Sequence, residues 1–278
     1  MAQYGEGFLP SIHGNRLYWR SVAPDGPSRA ALGVVHGYGD HSGRYVRTLE
    51  DFAARGIATL AFDCHGHGMS DGRRADCLHW DDYVNDCQAF WNRLREVSGQ
   101  LPAFLFGHSH GALIVTHLAT SKPVDLAGIV LSAPFFKLAF EPSKLKLFAA
   151  KILKKILPGL PLYSGLRSEQ LSRDEAWQTA TRDDLLSLRV ATPRWFFQVL
   201  KVQERLFERA RTITQPLLVV AGTDDSIASM PAARTCFDMF ASSDKTWKDY
   251  LGFRHEVLNE IGREIVIDDI SRWISERC

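Results

Sequence analysis

One short stretch of this chain constrains its fold more than any other. An apolar run at residues 104–106 leads into a Gly-x-Ser-x-Gly motif at residues 107–111, and an apolar helical pattern follows directly. This order predicts a strand, a sharp turn and a helix, with Ser109 at the apex of the turn. The two glycines leave room for neighbouring backbone that a Cβ would fill. We therefore predict that Ser109 is an exposed nucleophile at the positive end of a helix dipole.

Apolar and amphipathic segments alternate along most of the chain. Helical patterns of about 10 to 15 residues separate the predicted strands, a rhythm typical of βαβ crossovers. The predicted fold class is therefore α/β, with a mainly parallel central sheet flanked by helices. Besides the strand before Ser109, buried strands are predicted at residues 31–35, 57–62, 128–132 and 216–222, and one strand of a hairpin at residues 13–20.

The alternation stops between residues 135 and 213. Helical patterns follow one another there with no strand between them, and the strand–helix rhythm resumes at residue 214. We therefore predict an α/β core formed by residues 1–134 and 214–278, with a helical cap formed by residues 135–213 inserted into it.

Composition excludes several classes of protein. The chain has 278 residues, enough for one large α/β domain with an insertion. A net charge of +1 gives no electrostatic reason to expect a nucleic-acid partner. The five cysteines are scattered, which argues against a disulfide framework and suits a reducing compartment. The chain does not open on a signal-peptide pattern, and no apolar run is long enough to cross a membrane. We expect a cytoplasmic protein, and the sequence does not predict its oligomeric state.

A nucleophilic serine needs a general base, and the base needs an acid that fixes its tautomer. Two late loops carry candidates, each directly after a predicted strand. Asp224 and Asp225 follow one strand, and His255 follows the next. Sites in open α/β sheets lie at the carboxyl ends of the strands, which is where both loops fall. We predict His255 as the base, while the residues alone leave either Asp224 or Asp225 as the acid.

Other histidines fit a catalytic role less well. His108 and His110 flank the serine, and their side chains are predicted to point away from its Oγ. His65 and His67 form a His-x-His pair, but no further ligand lies at a suitable spacing, and a metal site normally needs four coordinating groups. We therefore predict no metal and no other cofactor.

Further motifs are spread over nearly the whole chain. They read HGYGDHSGRY at residues 36–45, FDCHGHGMSDG at 62–72, LSAP at 131–134, DDL at 183–185 and HE at 255–256. In combination they resemble the monoacylglycerol lipases and related lysophospholipases of the α/β-hydrolase superfamily. The resemblance implies an α/β-hydrolase fold with a helical cap, and a serine hydrolase that cleaves lipid carboxylic esters, above all monoacylglycerol to fatty acid and glycerol.

The resemblance also implies roles for individual residues. The acid loop of that family reads Gly-x-x-Asp-x-Ile or Val, and counting from Gly222 selects Asp225. The oxyanion hole is implied to consist of the backbone N–H groups of Tyr38 and His110, which agrees with the positions that oxyanion donors occupy in this fold. Two residues depart from the family pattern. Asp184 stands where proline is usual and is expected to leave the chemistry unaffected. His110-Gly111-Ala112 replaces a more common Met-Gly-Gly; this change keeps the required Gly111 and could reshape the floor of the pocket.

Residues 143–157 form a basic amphipathic pattern within the predicted cap. Leu145, Phe148 and Ile152 lie on one broad apolar arc, and lysines occupy the other side. Such a helix packs as a lid over the site or also makes transient contact with a membrane surface, and both interpretations stay open. In either case apolar residues roof the site, which favours a lipid ester as the substrate.

Other functions are compatible with the same residues. Lysophospholipase, short-chain carboxylesterase and thioesterase activities would use the same triad. A non-catalytic binding protein of this fold is the alternative from a different class. The complete set of serine, acid and histidine argues against that alternative.

Overall fold

A central sheet organises the fold. The computed structural model describes residues 2–11 and 13–278 of the chain. The strands are β1 (Gln3–Pro10), β2 (Arg16–Ala23), β3 (Ala30–Val35), β4 (Ile57–Phe62), β5 (Ala103–His108), β6 (Gly128–Ser132), β7 (Leu162–Tyr163), β8 (Val190–Ala191), β9 (Leu217–Gly222) and β10 (Lys245–Tyr250). One sheet contains β1-β2-β4-β3-β5-β6-β9-β10 in that order. Strand β2 is antiparallel to β1 and β4, and the other neighbouring pairs are parallel. The prediction of a mainly parallel α/β sheet is confirmed.

Helices cover both faces of this sheet. The α-helices are α1 (Val46–Ala53), α2 (Trp80–Ser98), α3 (His110–Ser121), α4 (Lys144–Ile156), α5 (Glu175–Asp183), α6 (Pro193–Arg209), α7 (Met230–Met239) and α8 (Glu264–Ser275). Short 3₁₀ turns lie at Ser42–Tyr45, Ser168–Gln170, Ala210–Thr212 and Val257–Asn259.

Successive side chains along β5 contribute to two different hydrophobic clusters, one on each face of the sheet. Phe104 and Phe106 belong to the hydrophobic cluster that contains residues of α1 and α8, whereas Leu105 belongs to the cluster that contains residues of α2, α3 and α6. Successive side chains of a strand point to opposite faces of a sheet, so the two clusters lie on opposite sides. Every residue of β5 is buried, which is why the strand reads as a continuous apolar run in the sequence.

The edge of the sheet differs from the sequence prediction. Strand β2 begins three residues later than the predicted hairpin strand, and its partner β1 has no predicted counterpart. The reason lies in two glycines of β1. A Cβ at Gly5 or Gly7 would lie 3.6 or 3.0 Å from the ring of Trp19 on β2. Because glycines occupy the positions of β1 that face this indole, the strand lacks the alternating apolar and polar side chains by which a strand is recognised in a sequence.

The region between β6 and β9 contains helices α4, α5 and α6. It also contains β7 and β8, which pair antiparallel through two residues each, so the expectation of a region without strands is wrong in this detail. Strands of two residues are too short to leave an alternating pattern. The division into a core and a cap at residues 134 and 214 stays a prediction. No helix in the described part of the chain has the length and apolar character needed to cross a membrane.

Candidate active site

The turn between β5 and α3 holds Ser109 in an unusual backbone conformation. Its φ is 52° and its ψ is −113°, in a region that L-residues rarely adopt. A Cβ at Gly107 would lie 2.6 Å from the carbonyl oxygen of Gly111, and one at Gly111 would lie 2.2 Å from that of Val35. Three backbone segments therefore meet at this turn. They can approach this closely only because residues 107 and 111 are glycines without a Cβ. The local structure matches the strand–turn–helix that the motif predicts. The expectation of an exposed serine is wrong, because Ser109 is buried, with 7% of its surface exposed.

Ser109 lies on the wall of a cavity of about 760 Å³. The serine backbone is anchored on both sides: its N–H donates to the carbonyl oxygen of Ser132 over 2.9 Å, and its own carbonyl accepts from Phe135 over 3.2 Å. His255 lines the same cavity. The structure therefore brings together the predicted nucleophile and the predicted base.

His255 is held by a carboxylate behind it. Its Nδ1 lies 2.7 Å from Oδ2 of Asp225, and both side chains are almost completely buried. The other carboxylate oxygen of Asp225 accepts hydrogen bonds from the N–H groups of Ile227 and Ala228 over 2.8 and 3.0 Å. These bonds fix the carboxylate, and the carboxylate fixes the imidazole with Nε2 as its free nitrogen.

The charges of this pair stabilise each other. Burial by itself lowers the pKa of His255, but the Asp225 carboxylate and the nearby Glu256 raise it above its ordinary value of 6.5. Burial raises the pKa of Asp225, and the charge and hydrogen bond of His255 outweigh that effect, so its pKa is lowered. Asp225 is therefore ionised, and His255 takes up a proton more readily than a free imidazole.

The neighbouring aspartate has a different environment. Asp224 is exposed, and its carboxylate accepts a hydrogen bond from the hydroxyl of Thr223 over 3.1 Å. Of the two aspartates that the residues alone left open, Asp225 is the one whose carboxylate contacts His255.

The two implied oxyanion donors lie beside the serine turn. A Cβ at Gly37 would lie 3.5 Å from that of Ser109, so the segment that carries Tyr38 passes against the turn. His110 is the first residue of α3, where backbone N–H groups have no partner within the helix. Within the described residues, neither the Tyr38 N–H nor the His110 N–H donates a hydrogen bond.

The side chain of Tyr38 is clamped between the core and α6. Its ring centroid lies 3.7 Å from that of Trp195, with the planes inclined by 30°. Its hydroxyl lies within hydrogen-bond distance of the carbonyl oxygens of Val190, at 3.0 Å, and Ala75, at 3.1 Å. No local sequence pattern indicates these contacts, because they join positions up to 157 residues apart.

The histidines next to Ser109 are not catalytic bases in this geometry. The ring of His108 lies 4.9 Å from that of His255 and lines the cavity, where its Nδ1 lies 3.2 Å from the hydroxyl of Ser132. The ring of His110 packs edge-on against Trp80 and Tyr83 and does not line the cavity, so the expected effect on the pocket floor does not arise from its side chain. Burial lowers the pKa of each imidazole to about 3.

A buried ionic cluster, also missed by the sequence analysis, joins the two loops of the site. Arg44 Nη2 donates to both carboxylate oxygens of Glu256 over 3.1 Å, and its Nε lies 2.8 Å from Oδ1 of Asp40 in an ion pair. The indole N–H of Trp177 on α5 donates to the same Glu256 over 2.7 Å. The segment that carries Tyr38 is therefore tied to the loop that carries His255. Asp40, Arg44 and Glu256 all lie in motifs that carry the family resemblance, which is the only signal that could have marked them.

The His-x-His pair has other partners. His65 bonds through Nδ1 to Asp86 over 2.7 Å, and the Nδ1 of His67 lies 3.1 Å from the carbonyl oxygen of His65. In the part of the chain that the structure describes, no group of three or more potential ligands is arranged to hold a metal ion.

Apolar side chains make up most of the cavity wall. They include Phe135, Leu138, Leu147, Leu166, Leu171, Leu188, Trp195, Phe196 and Ile227. Exposed cationic side chains also border the cavity, namely Lys146, Arg167, Arg182 and Arg189. A largely apolar wall of this kind suits an acyl chain, and the cationic side chains at the border suit polar groups of a ligand.

Comparison with known proteins gives consistent matches. A family model described as "Serine aminopeptidase, S33" matches residues 26–262. The chain is 31% identical to a monoacylglycerol lipase of Mycolicibacterium smegmatis over 97% of this chain and 96% of that protein. It is 30% identical to the human monoglyceride lipase over 97% of this chain and 90% of that protein. The crystal structure of Paleococcus ferrophilus monoacylglycerol lipase superposes with a TM-score of 0.84 at 29% identity, over 94% of this chain and 99% of that one.

The close approach at the serine turn yields a stability prediction. In Gly111→Ala the new methyl group would lie 2.2 Å from the carbonyl oxygen of Val35 and 2.6 Å from that of His36. Backbone atoms cannot rotate away, so the variant should lose about 1–3 kcal/mol or more in chemical denaturation, although alanine is the better helix former. Gly26→Ala is the matched control, because no heavy atom lies within 4 Å of its Cβ position. Equal stability of the two variants would contradict the packing described for the turn.

Proposed function

The chain belongs to the serine aminopeptidase S33 family, in the monoacylglycerol lipase branch of the α/β-hydrolases, and from that premise we propose that it cleaves monoacylglycerol to fatty acid and glycerol. It is a carboxylic ester hydrolase. The proposed catalytic residues are Ser109, His255 and Asp225. The observation that carries the proposal is that Ser109 and His255 line one largely apolar cavity, with Asp225 bonded behind the imidazole.

The proposed reaction begins with acylation. Ser109 Oγ attacks the ester carbonyl carbon while Nε2 of His255 accepts the hydroxyl proton. Asp225 keeps the proton of the neutral imidazole on Nδ1, so that Nε2 has a free lone pair, and then stabilises the imidazolium. The tetrahedral intermediate collapses when His255 returns its proton to the leaving glycerol oxygen, and the acyl group remains on Ser109.

Deacylation repeats these steps with water as the nucleophile. His255 accepts a proton from water, the hydroxide attacks the acyl-enzyme, and Ser109 leaves with a proton from the imidazolium. In both halves the N–H groups of Tyr38 and His110 are proposed to donate to the oxyanion. Loss of one such donor typically costs about 3 kcal/mol of transition-state stabilisation.

Charged residues support a second candidate substrate. Arg167 and Arg189 border the cavity and take part in no ion pair among the described residues. A guanidinium near the cavity suits a phosphate, which it can bind through two parallel hydrogen bonds. Lysophospholipids, which combine one acyl ester with a phosphate headgroup, are therefore the second candidate.

A substrate panel tests the proposal. Hydrolysis rates are compared for monoacylglycerols, lysophospholipids, short nitrophenyl esters and acyl thioesters of equal chain length. We expect the highest kcat/KM with monoacylglycerol, and no hydrolysis or fluorophosphonate labelling by Ser109→Ala, whose fold should persist because a small side chain at a turn is removed. A preference for another member of the panel would replace the substrate. Labelling and activity retained by Ser109→Ala would exclude this serine as the nucleophile.

The acid assignment makes a prediction about pH. Asp225→Asn should lower kcat by about 10⁴, as the equivalent change does in serine proteases, because an amide can donate to Nδ1 and stabilise the wrong tautomer. Catalysis needs the neutral imidazole, so kcat/KM of the parent should rise with pH through the raised pKa of His255. Without the carboxylate that raises this pKa, the midpoint in Asp225→Asn should move to lower pH.

Asp224→Asn is the matched control for this experiment. Its carboxylate is exposed and does not contact His255, so both kcat and the pH profile should stay close to those of the parent. A larger loss in Asp224→Asn than in Asp225→Asn would show that the acid has been assigned one position too late.

Contact with a membrane surface is the second part of the proposal. The outer face of α4 exposes Leu145, Phe148, Ile152 and Ile156 to solvent, and the residues of α4 that line the cavity are others, namely Lys146, Leu147 and Ala150. Of the two directions left open for this arc, solvent is the one that it faces, while Leu147 and Ala150 are the apolar residues of α4 that line the cavity. Lys144, Lys151 and Lys155 lie along one side of this arc, an arrangement that suits an anionic lipid surface.

Vesicle binding tests this contact. Replacing Lys144, Lys151 and Lys155 by Gln should weaken sedimentation with anionic vesicles at low salt, because each lysine near such a surface contributes about 1 kcal/mol. Leu145→Ser combined with Ile152→Ser should weaken binding to neutral vesicles as well. Leu78→Ser combined with Ile265→Ser is the matched control, since those side chains are exposed elsewhere on the molecule. Hydrolysis of a soluble short ester should stay unchanged throughout. Parent protein that fails to sediment would limit α4 to a covering role.

A further inference from the structure

A segment outside the predicted triad runs alongside the oxyanion residues. After α5, residues 184–190 lead to β8 and pass over residues 38–41, which follow β3. Hydrogen bonds join the two segments at three successive levels, through Asp184, Leu188 and Val190. We name residues 184–190 the latch segment.

The first bond joins two side chains and has a defined direction. Oδ2 of Asp184 lies 2.7 Å from Nε2 of His41. The Nδ1 of His41 accepts from the N–H of Gly43, so Nε2 carries a hydrogen and donates it to Asp184. Both side chains are largely shielded from solvent, with 8% and 21% exposure for His41 and Asp184. Burial raises the pKa of Asp184, but the hydrogen bond from His41 and the N–H of Leu186 lower it overall, which keeps the carboxylate charged.

The second bond joins backbone to backbone. The N–H of Leu188 donates to the carbonyl oxygen of Gly39 over 2.7 Å. Gly39 has a φ of +76°, and a Cβ at this position would lie 2.5 Å from the carbonyl oxygen of Leu188. The approach of the two segments is therefore close enough to require glycine on the core side.

The third bond reaches the residue that carries an implied oxyanion donor. The hydroxyl of Tyr38 lies 3.0 Å from the carbonyl oxygen of Val190, at the end of the latch segment. Trp195, on the helix that follows, stacks on the Tyr38 ring at 3.7 Å. Arg74 adds support from the core by donating to the carbonyl oxygen of Leu186 over 3.0 Å. The position of Tyr38 therefore depends on the latch segment as well as on strand β3, which precedes it.

We propose that the latch segment holds the Tyr38 N–H in place for the developing oxyanion, with Asp184 and His41 as positioning residues that lock it. This inference rests on the proposed function of Ser109 and Tyr38. It also revises the expectation that Asp184 leaves the chemistry unaffected. An oxyanion donor acts mainly on the transition state, so a displaced Tyr38 should lower kcat and leave KM nearly unchanged.

The test uses a soluble short-chain nitrophenyl ester, which makes little use of an acyl-chain cavity. Asp184→Ala removes both the partner of His41 and the acceptor of the Leu186 N–H. Asp183→Ala is the matched control, because Asp183 is the exposed neighbouring aspartate. His41→Asn is the second variant; an asparagine can still cap the Gly43 N–H but does not reach Asp184. Assays are run well below the unfolding midpoint of each variant.

We expect a loss of about tenfold in kcat for Asp184→Ala and for His41→Asn, with KM within about twofold of the parent, since misplacing a catalytic group by about 1 Å can cost as much as 10². The double variant should be no slower than the worse single variant, because both changes break one contact. Asp183→Ala should match the parent. A short alkyl trifluoromethyl ketone, which forms an oxyanion on Ser109, should bind the two variants about tenfold more weakly. The corresponding methyl ketone, which remains a carbonyl, should bind them as it binds the parent.

Three results would contradict the proposal that the latch segment positions Tyr38. They are an unchanged kcat in both single variants, additive losses in the double variant, and equal weakening of the two ketones. Each leaves the proposed function intact provided that Ser109→Ala is inactive. Activity retained in Ser109→Ala would instead remove the proposed function and the latch together.

Discussion

The close contact of three backbone segments at the serine turn is the constraint on which the site depends. The end of β3, the end of β5 and the start of α3 approach so closely that Gly111 has less than 3 Å between its Cβ position and backbone oxygens of β3 and the following loop. This contact forces Ser109 into a backbone conformation that costs of order 1–3 kcal/mol. The fully buried strands β3 and β5 hold that conformation in place. The same contact brings the segment after β3 against the turn, which is why the backbone of Tyr38, the proposed oxyanion donor, can lie beside Ser109, the proposed nucleophile.

Electrostatics separate His255, the proposed base, from the neighbouring His108. His108 and His255 are both buried and their rings are 4.9 Å apart, yet the pKa of His108 falls to about 3 and that of His255 rises. Burial acts on both in the same direction. The difference is the partner of Nδ1, a hydroxyl of Ser132 for His108 and a carboxylate of Asp225 for His255. A protonated His255 is stabilised by a carboxylate bonded to its own ring. The charges of Glu256 and Asp225 also favour a protonated His108, but burial and the charge of His255 outweigh them. Of these two histidines, His255 therefore suits proton transfer near neutral pH.

The parts of this site that could be predicted from the sequence are those with a local cause. The serine turn has such a cause, because strand, glycines and helix are contiguous, and the mainly parallel sheet follows from the alternation of strands and helices. The residues alone leave the choice between Asp224 and Asp225 open, because it depends on how the N–H groups of Ile227 and Ala228 orient one carboxylate. The family pattern counted from Gly222 is what selects Asp225 in the sequence. The pairing of His41 with Asp184 joins positions 143 residues apart, and strand β1 lost its periodic signal to two glycines that face Trp19. Contacts of this kind arise from packing and leave no pattern along the chain.

The region between β6 and β9 presents different groups on its outer and inner sides. Its outer side presents the apolar arc of α4, and its inner side presents the latch segment and Trp195 to Tyr38. The two sides are mechanically continuous, because α4 packs on α6 and α6 carries Trp195. A lipid surface that bound α4 more tightly in one arrangement of this region would, by thermodynamic reciprocity, favour the same arrangement of Tyr38. The coupling could be no larger than the difference in affinity of the surface for the two arrangements. Surface binding and oxyanion stabilisation would then be linked through packed side chains, with no change needed in Ser109, His255 or Asp225.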